Sequence, residues 1–351
     1  MLARHGMPWL EVKTSNMPIS RKIMGVSRGR VFTGALSGTS TIATGSGPFG
    51  ICISVDGASV YACNRFDATV SIFARNTSTG ALSGTSTIAT GTNPFGITIS
   101  ADGTSVYVAN FSSGTVSIFA RNTSTGALSG TSTIATGTSP YGICISADGT
   151  SVYVANNGSN TVSIFARNTS TGALSGTSTI ATGSWPVNPS ISADGASVYV
   201  ANNGSNTVSI FARNTSTGAL SGTSTIATGA NPANPSISAD GASVYVVNSS
   251  GTVSIFARNT STGALSGTST IATGSGPFGI TISADGTSVY VANFSSGTVS
   301  IFARNTSTGA LSGTSTIATG SGPRGICISA DGTSVYVGNQ SDSTISIFTR
   351  S

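Results

Sequence analysis

The sequence predicts an all-β fold, a seven-bladed β-propeller of four-stranded antiparallel blades closed by the N-terminal strand completing the last blade. Three observations carry that prediction. The 21-residue string SIFARNTSTGALSGTSTIATG recurs letter for letter at 71, 117, 163, 209, 254 and 300. Thr-Gly-Ala-Leu begins at Thr33, Thr79, Thr125, Thr171, Thr217, Thr262 and Thr308, which makes seven units at steps of 46 residues, with one of 45. Each unit holds four short apolar stretches and no helical period, as repeats of about 40–50 residues do when each is one blade.

The elements follow in order within a unit. GITIS (96–100) and SVYVAN (105–110) flank an Asp-Gly pair, a type I′ hairpin signal. TVSIFAR (115–121) is the third strand, and TSTIAT (131–136) follows the Asn-Thr-Ser-Thr-Gly turn as the outermost. Val106, Tyr107 and Val108 are successive apolar residues, which a strand shows when stacked blades bury both of its faces. The first unit opens with a lone outer strand over residues 36–44, and the last stops after its third strand. The N-terminal strand is therefore expected to complete the blade that spans 325–348, removing a free sheet edge.

Charge divides the chain into two parts. Arg4, Lys13, Arg21, Lys22, Arg28 and Arg30 against Glu11 account for the whole net charge of +5, while nine arginines balance nine aspartates in the rest. Residues 1–32 read as a basic extension expected to be disordered, and 33–351 as a single propeller domain. A neutral body offers no surface for tracking phosphates, so nucleic acid is not an expected partner. No stretch reaches the ~20 apolar residues of a membrane span. The lysine-free, Thr/Ser/Asn-rich body suits an extracellular or cell-surface monomer, although no signal peptide is visible. Asn76-Thr77-Ser78 has the form of a glycosylation sequon, which Asn-rich turns also produce by chance. Cys52, Cys144 and Cys327 hold one repeat position that other units fill with Thr or Ser, and with Cys63 they read as structural thiols rather than a metal site. No metal and no cofactor is expected.

The stretch GPFGITISADGTSVYVANFSSGTVSIFARNTSTGAL resembles the lactonase-like and YVTN-type propellers, in its Pro-x-Gly entry, Asp-Gly hairpin, Tyr-Val-Ala-Asn strand and Thr-Gly-Ala-Leu turn. The resemblance covers residues 33–351 and implies the fold firmly. It implies a lactone hydrolase of the 6-phosphogluconolactonase type only through the family name, because the shared motifs are turns and core. WPVNPSIS and NPANPSIS depart from the pattern in blades four and five.

Other motifs dissolve on inspection. Gly45-Ser-Gly47-Pro-Phe-Gly50 fits a dinucleotide fingerprint in letters, but a strand follows where a helix is needed. Gly25-Val-Ser27-Arg-Gly29 fits a nucleophile elbow without a strand-to-helix context, and the only histidine, His5, lies in the same extension. Asp56, Asp102, Asp148, Asp194, Asp240, Asp285 and Asp331 sit in the Asp-Gly turns, and Arg75, Arg121, Arg167, Arg213, Arg258, Arg304 and Arg350 end the third strands on the same side. Pairing of these two rings is expected to be structural.

What varies between repeats lies in two loops expected to open onto one face around the channel. Phe49, Phe95, Tyr141 and Phe278, then Arg324, share one repeat position; Phe66, Phe111, Phe294 and Trp185 stand beside them, with Asn157, Asn160, Asn203 and Asn206 in blades three and four. Arg324 with Asp342, and Arg65 with Asp67, meet across the closure seam. Three readings follow. The first is a non-catalytic module that binds a protein or glycan through this aromatic and Asn-rich face, since the propeller lacks His, Glu and Lys. The second is a lactonase-like hydrolase in which Arg324 or Arg65 polarises a carbonyl and Asp67 or Asp342 activates water. The third is a recently amplified array with little specific function, its terminal blades atypical as capping repeats often are.

Overall fold

Alternating β-branched and aromatic residues between glycine turns give each unit its strands, and a computed structural model describes residues 33–351 of the chain. Among these residues twenty-eight strands form seven four-stranded antiparallel sheets and no helix. The basic extension, Gly25-Val-Ser27-Arg-Gly29 and His5 lie outside the described residues. Blade one runs outward from Pro48–Ile53 through Ser59–Asn64 and Thr69–Arg75 to Leu82–Ala89. Innermost strands of neighbouring blades face one another around a central channel.

The second strand is the blade's core. All six residues of Ser105–Asn110 are buried, and Val106, Tyr107, Val108 and Phe119 are fully so, each contributing roughly 1.5–3 kcal/mol relative to exposure. The outermost strand is the reverse, with Leu128 buried and most of Ser129–Ala135 facing solvent. Each outermost strand carries a bulge at a left-handed glycine; Gly38 has φ 66° between the Ser37–Thr349 and Ser40–Ile347 pairs. A bulge on an open edge discourages pairing with another chain.

The last sheet confirms the closure. Leu36–Ala43 pairs with Thr344–Arg350, which continues to Ser334–Asn339 and Pro323–Ile328. One local expectation differs. A type I′ turn needs two left-handed residues, yet in the Asp-Gly hairpin of blade one only Gly57 is left-handed, at φ 68°. The loop has four residues, closed by Ser54 N–H to the Ser59 carbonyl. The Asp56 carboxylate accepts from the Ser54 hydroxyl and the Ala58 N–H, which organises the longer loop.

The two expected rings do pair, and always between blades. Arg121 of blade two donates to the Asp56 carboxylate of blade one at 2.9 Å and, through Nε, to the Tyr61 hydroxyl at 2.6 Å. Tyr61 donates in turn to the Gly126 carbonyl of blade two at 2.7 Å. The same arrangement recurs seven times, from Arg75 with Asp331 to Arg350 with Asp285.

Candidate functional site

On the opposite face, one backbone device builds the site in every blade. The residue before the entry proline is left-handed in all seven: Gly47, Asn93, Ser139, Trp185, Asn231, Gly276 and Gly322, with φ between 53° and 69°. Its carbonyl accepts the N–H of the residue opening the loop between the second and third strands, as Gly47 does from Arg65 at 3.0 Å and Trp185 from Asn203 at 2.9 Å. Two concentric rings of seven side chains result. The inner ring is Phe49, Phe95, Tyr141, Val187, Ala233, Phe278 and Arg324; the second is Arg65, Phe111, Asn157, Asn203, Ser249, Phe294 and Gln340.

The aromatic members converge on the channel mouth. Phe49 stacks on Phe95 with centroids 4.4 Å apart, Tyr141 meets Phe95 edge-on at 4.8 Å, and Phe278 meets Phe49 edge-on at 5.4 Å. Phe111 joins at 4.7 Å from Phe95. Beneath them a cavity of about 210 Å³ is lined by the Ile51, Ile97, Ile143, Ile280 and Ile326 ring and by Asn188 and Asn234.

Both non-repeated arginines join this cluster. Arg324 lies over the faces of Phe49, Phe278 and Phe294 at 4.8, 4.6 and 4.4 Å, and its Nε–H donates to Gln340 Oε1. Arg65 lies over Phe95 at 4.8 Å and Phe66 at 5.2 Å. Such contacts contribute about 0.5–2 kcal/mol each and hold a guanidinium without neutralising it. Among the described residues neither arginine has a carboxylate within ion-pairing distance; all seven ion pairs belong to the other face. Burial, and then the like charge of Arg65, hold the Arg324 pKa below the usual guanidinium range. Burial pushes the Tyr141 phenol up to about 12 against the opposing pull of both arginines.

Asp67 and Asp342 take up a different task. Asp67 Oδ2 accepts the Ser46 N–H at 2.6 Å, and Asp342 Oδ2 accepts the Ser321 N–H at 2.6 Å. In four other blades a serine hydroxyl does this, from Ser113, Ser159, Ser205 and Ser296. Both aspartates are exposed and leave Oδ1 without a hydrogen bond among the described residues. Phe66 and Trp185 project from the rim at 62% and 57% exposure.

Sequence reasoning missed Gln340, Asn188, Asn234 and Asn231. Asn188 and Asn234 stand where the other blades have Gly50, Gly96, Gly142, Gly279 and Gly325, so the signal was present in the PVNP and PANP departures. A Cβ on Gly142 would collide with the Asn188 amide, which explains why glycine precedes it.

The model of the lactonase seven-bladed β-propeller family matches residues 33–144, 132–234, 190–278 and 269–351. The chain belongs to the lactonase family of seven-bladed β-propellers. No curated protein matches the chain significantly. Among solved structures, this lactonase-family propeller is similar to a candidate 6-phosphogluconolactonase from Bacteroides fragilis, with 25% identity, 78% of this chain and 84% of that chain covered, and a TM-score of 0.71. The periplasmic gluconolactonase of Pseudomonas aeruginosa shares the fold at 21% identity over 78% and 86% of the two chains, with a TM-score of 0.71. Kuenenia stuttgartiensis hydrazine synthase does so too, at 21% identity over 86% and 95%, with a TM-score of 0.70.

Proposed function

We propose that this family member hydrolyses a sugar lactone at the channel mouth. The observation that carries the reading is the pair of guanidiniums, Arg324 and Arg65, held on aromatic faces without a carboxylate partner. Arg324 faces the lactone carbonyl, and water adds to its carbon. The oxyanion of the tetrahedral intermediate is stabilised by the desolvated guanidinium. The ring C–O bond then breaks, giving a carboxylate and an alcohol that takes up a proton. Seven of the nine aspartates are engaged on the other face, so among the described residues Asp342 and Asp67 are the side-chain carboxylates available to accept the water's proton.

The test is turnover of glucono-δ-lactone and 6-phosphoglucono-δ-lactone, followed by acid release against the spontaneous rate. Arg324→Ala is expected to lower kcat by about 10²–10³-fold, the usual loss of an oxyanion donor. Asp342→Asn and Asp67→Asn assign the base. A wild-type rate equal to background overturns the proposal.

The exposure of Phe66 and Trp185 supports a second reading, in which the same face holds a protein or glycan without turnover. Binding that survives Ala substitution at Phe66, Trp185 and Arg324 together would sink it.

A further inference from the structure

The two rings are lopsided. Aromatic side chains crowd blades one, two, three and six, whereas the inner positions of blades four and five are Val187 and Ala233. Above that half lies a cavity of about 520 Å³, within the range of small-molecule sites. Its lining includes Trp185, Asn157, Asn203, Asn231 and Ser249, and it reaches Arg324.

Trp185 is out of place as a packing residue. It is 57% exposed, and its φ of 54° is a conformation that bulky residues rarely adopt. The equivalent residues are Gly, Asn or Ser in every other blade. Two hydrogen bonds hold the strained backbone: Trp185 N–H to Asn160 Oδ1 and Asn203 N–H to the Trp185 carbonyl, both 2.9 Å. Strain of this kind clusters at ligand-binding and active sites.

The polar lining has unused capacity. Asn157 and Asn203 each donate to a proline carbonyl at 3.3 Å, which orients the amide and leaves Oδ1 unpaired among the described residues. The Asn231 side chain makes no hydrogen bond among the described residues, and the terminal nitrogens of Arg324 make none either. An indole face, three amides and one guanidinium match a ring with an apolar face, several hydroxyls and an anion at one end.

We infer that this cavity is a saccharide subsite, which seats a neutral sugar ring on Trp185 while Arg324 takes the acid or lactone end of the same molecule. The ligand class is a glycosylated sugar acid or its lactone. This rests on the loop face being the binding face, as in the proposed function; it does not need turnover.

The probes are lactobionate, gluconate and lactose, titrated calorimetrically into the full chain. Lactobionate is expected to bind at least about tenfold more tightly than either single-feature probe. Trp185→Asn keeps the left-handed residue that blades two and five already use, so the loop folds, and it should reduce lactobionate to the gluconate level. Arg324→Gln should reduce it to the lactose level. Lactobionate bound no better than gluconate, or unaffected by Trp185→Asn, overturns the inference and leaves lactone turnover untouched. Lactobionate binding without turnover of any lactone supports the subsite and overturns the hydrolase.

Discussion

The Tyr290 hydroxyl donates a hydrogen bond to the Gly34 carbonyl at 2.8 Å, across 256 residues of sequence. Gly34 thereby occupies the place that Gly80 takes for Tyr336 and Gly126 for Tyr61, so the N-terminal strand is a full member of the last blade.

Truncation through residue 43 removes that acceptor and bares the edge of Thr344–Arg350. Self-association is expected, because an unpaired edge templates pairing. Light scattering after size exclusion should show dimers or larger species; a monomer with unchanged Tm contradicts the closure.

Tyr199→Phe deletes one bond from Arg258 Nε, at 2.7 Å, and one to the Gly263 carbonyl, at 2.7 Å. Leaving buried groups unpaired costs about 1–3 kcal/mol, a drop of several degrees in Tm. Tyr61→Phe should cost the same, since its geometry repeats. Unequal costs would show that the blades are not mechanically equivalent.

Acid sensitivity follows from the turn aspartates. Burial alone raises their pKa, but bonds from Ser, backbone N–H and Arg outweigh it; Asp331 falls to about 2, and Asp56, Asp194 and Asp240 are also lowered. A lowered folded-state pKa stabilises above the unfolded value near 3.9 and is lost as pH falls through the folded value. Tm should therefore be flat between about pH 5 and 8 and fall steeply below pH 4. A step near pH 6.5 would contradict this.

The thiols give the opposite sign. Burial pushes Cys52 and Cys144 up to about 12 and raises Cys63 and Cys327 as well. The protonated form is favoured in the fold, so this stability is present below about pH 8.5 and lost as pH rises toward 12. Native protein should react with a thiol reagent far more slowly than unfolded protein at pH 8. Replacement by the residues of other blades, Cys52→Thr, Cys63→Ala, Cys144→Thr and Cys327→Thr, should cost within about 1 kcal/mol each.

The fold was legible because a unit repeated seven times states its own period, and Val106-Tyr107-Val108 can be buried on both faces only between stacked sheets. The ring positions of Phe49 through Arg324 were legible as variation against an invariant background. The work of Asp67 and Asp342 was not, because an aspartate capping a backbone N–H and one poised to act look alike in letters. Nor was the stacking of Arg65 on Phe95 of blade two, or of Arg324 on Phe49 of blade one and Phe278 of blade six, which depends on side-chain geometry across blade interfaces.

All seven outermost strands have the same eight residues, LSGTSTIA. The strand that closes the ring is chemically indistinguishable from those that do not, so any of the seven could serve in its place. A circular permutant opened in any equivalent turn, with its old ends joined, should rebuild the same molecule.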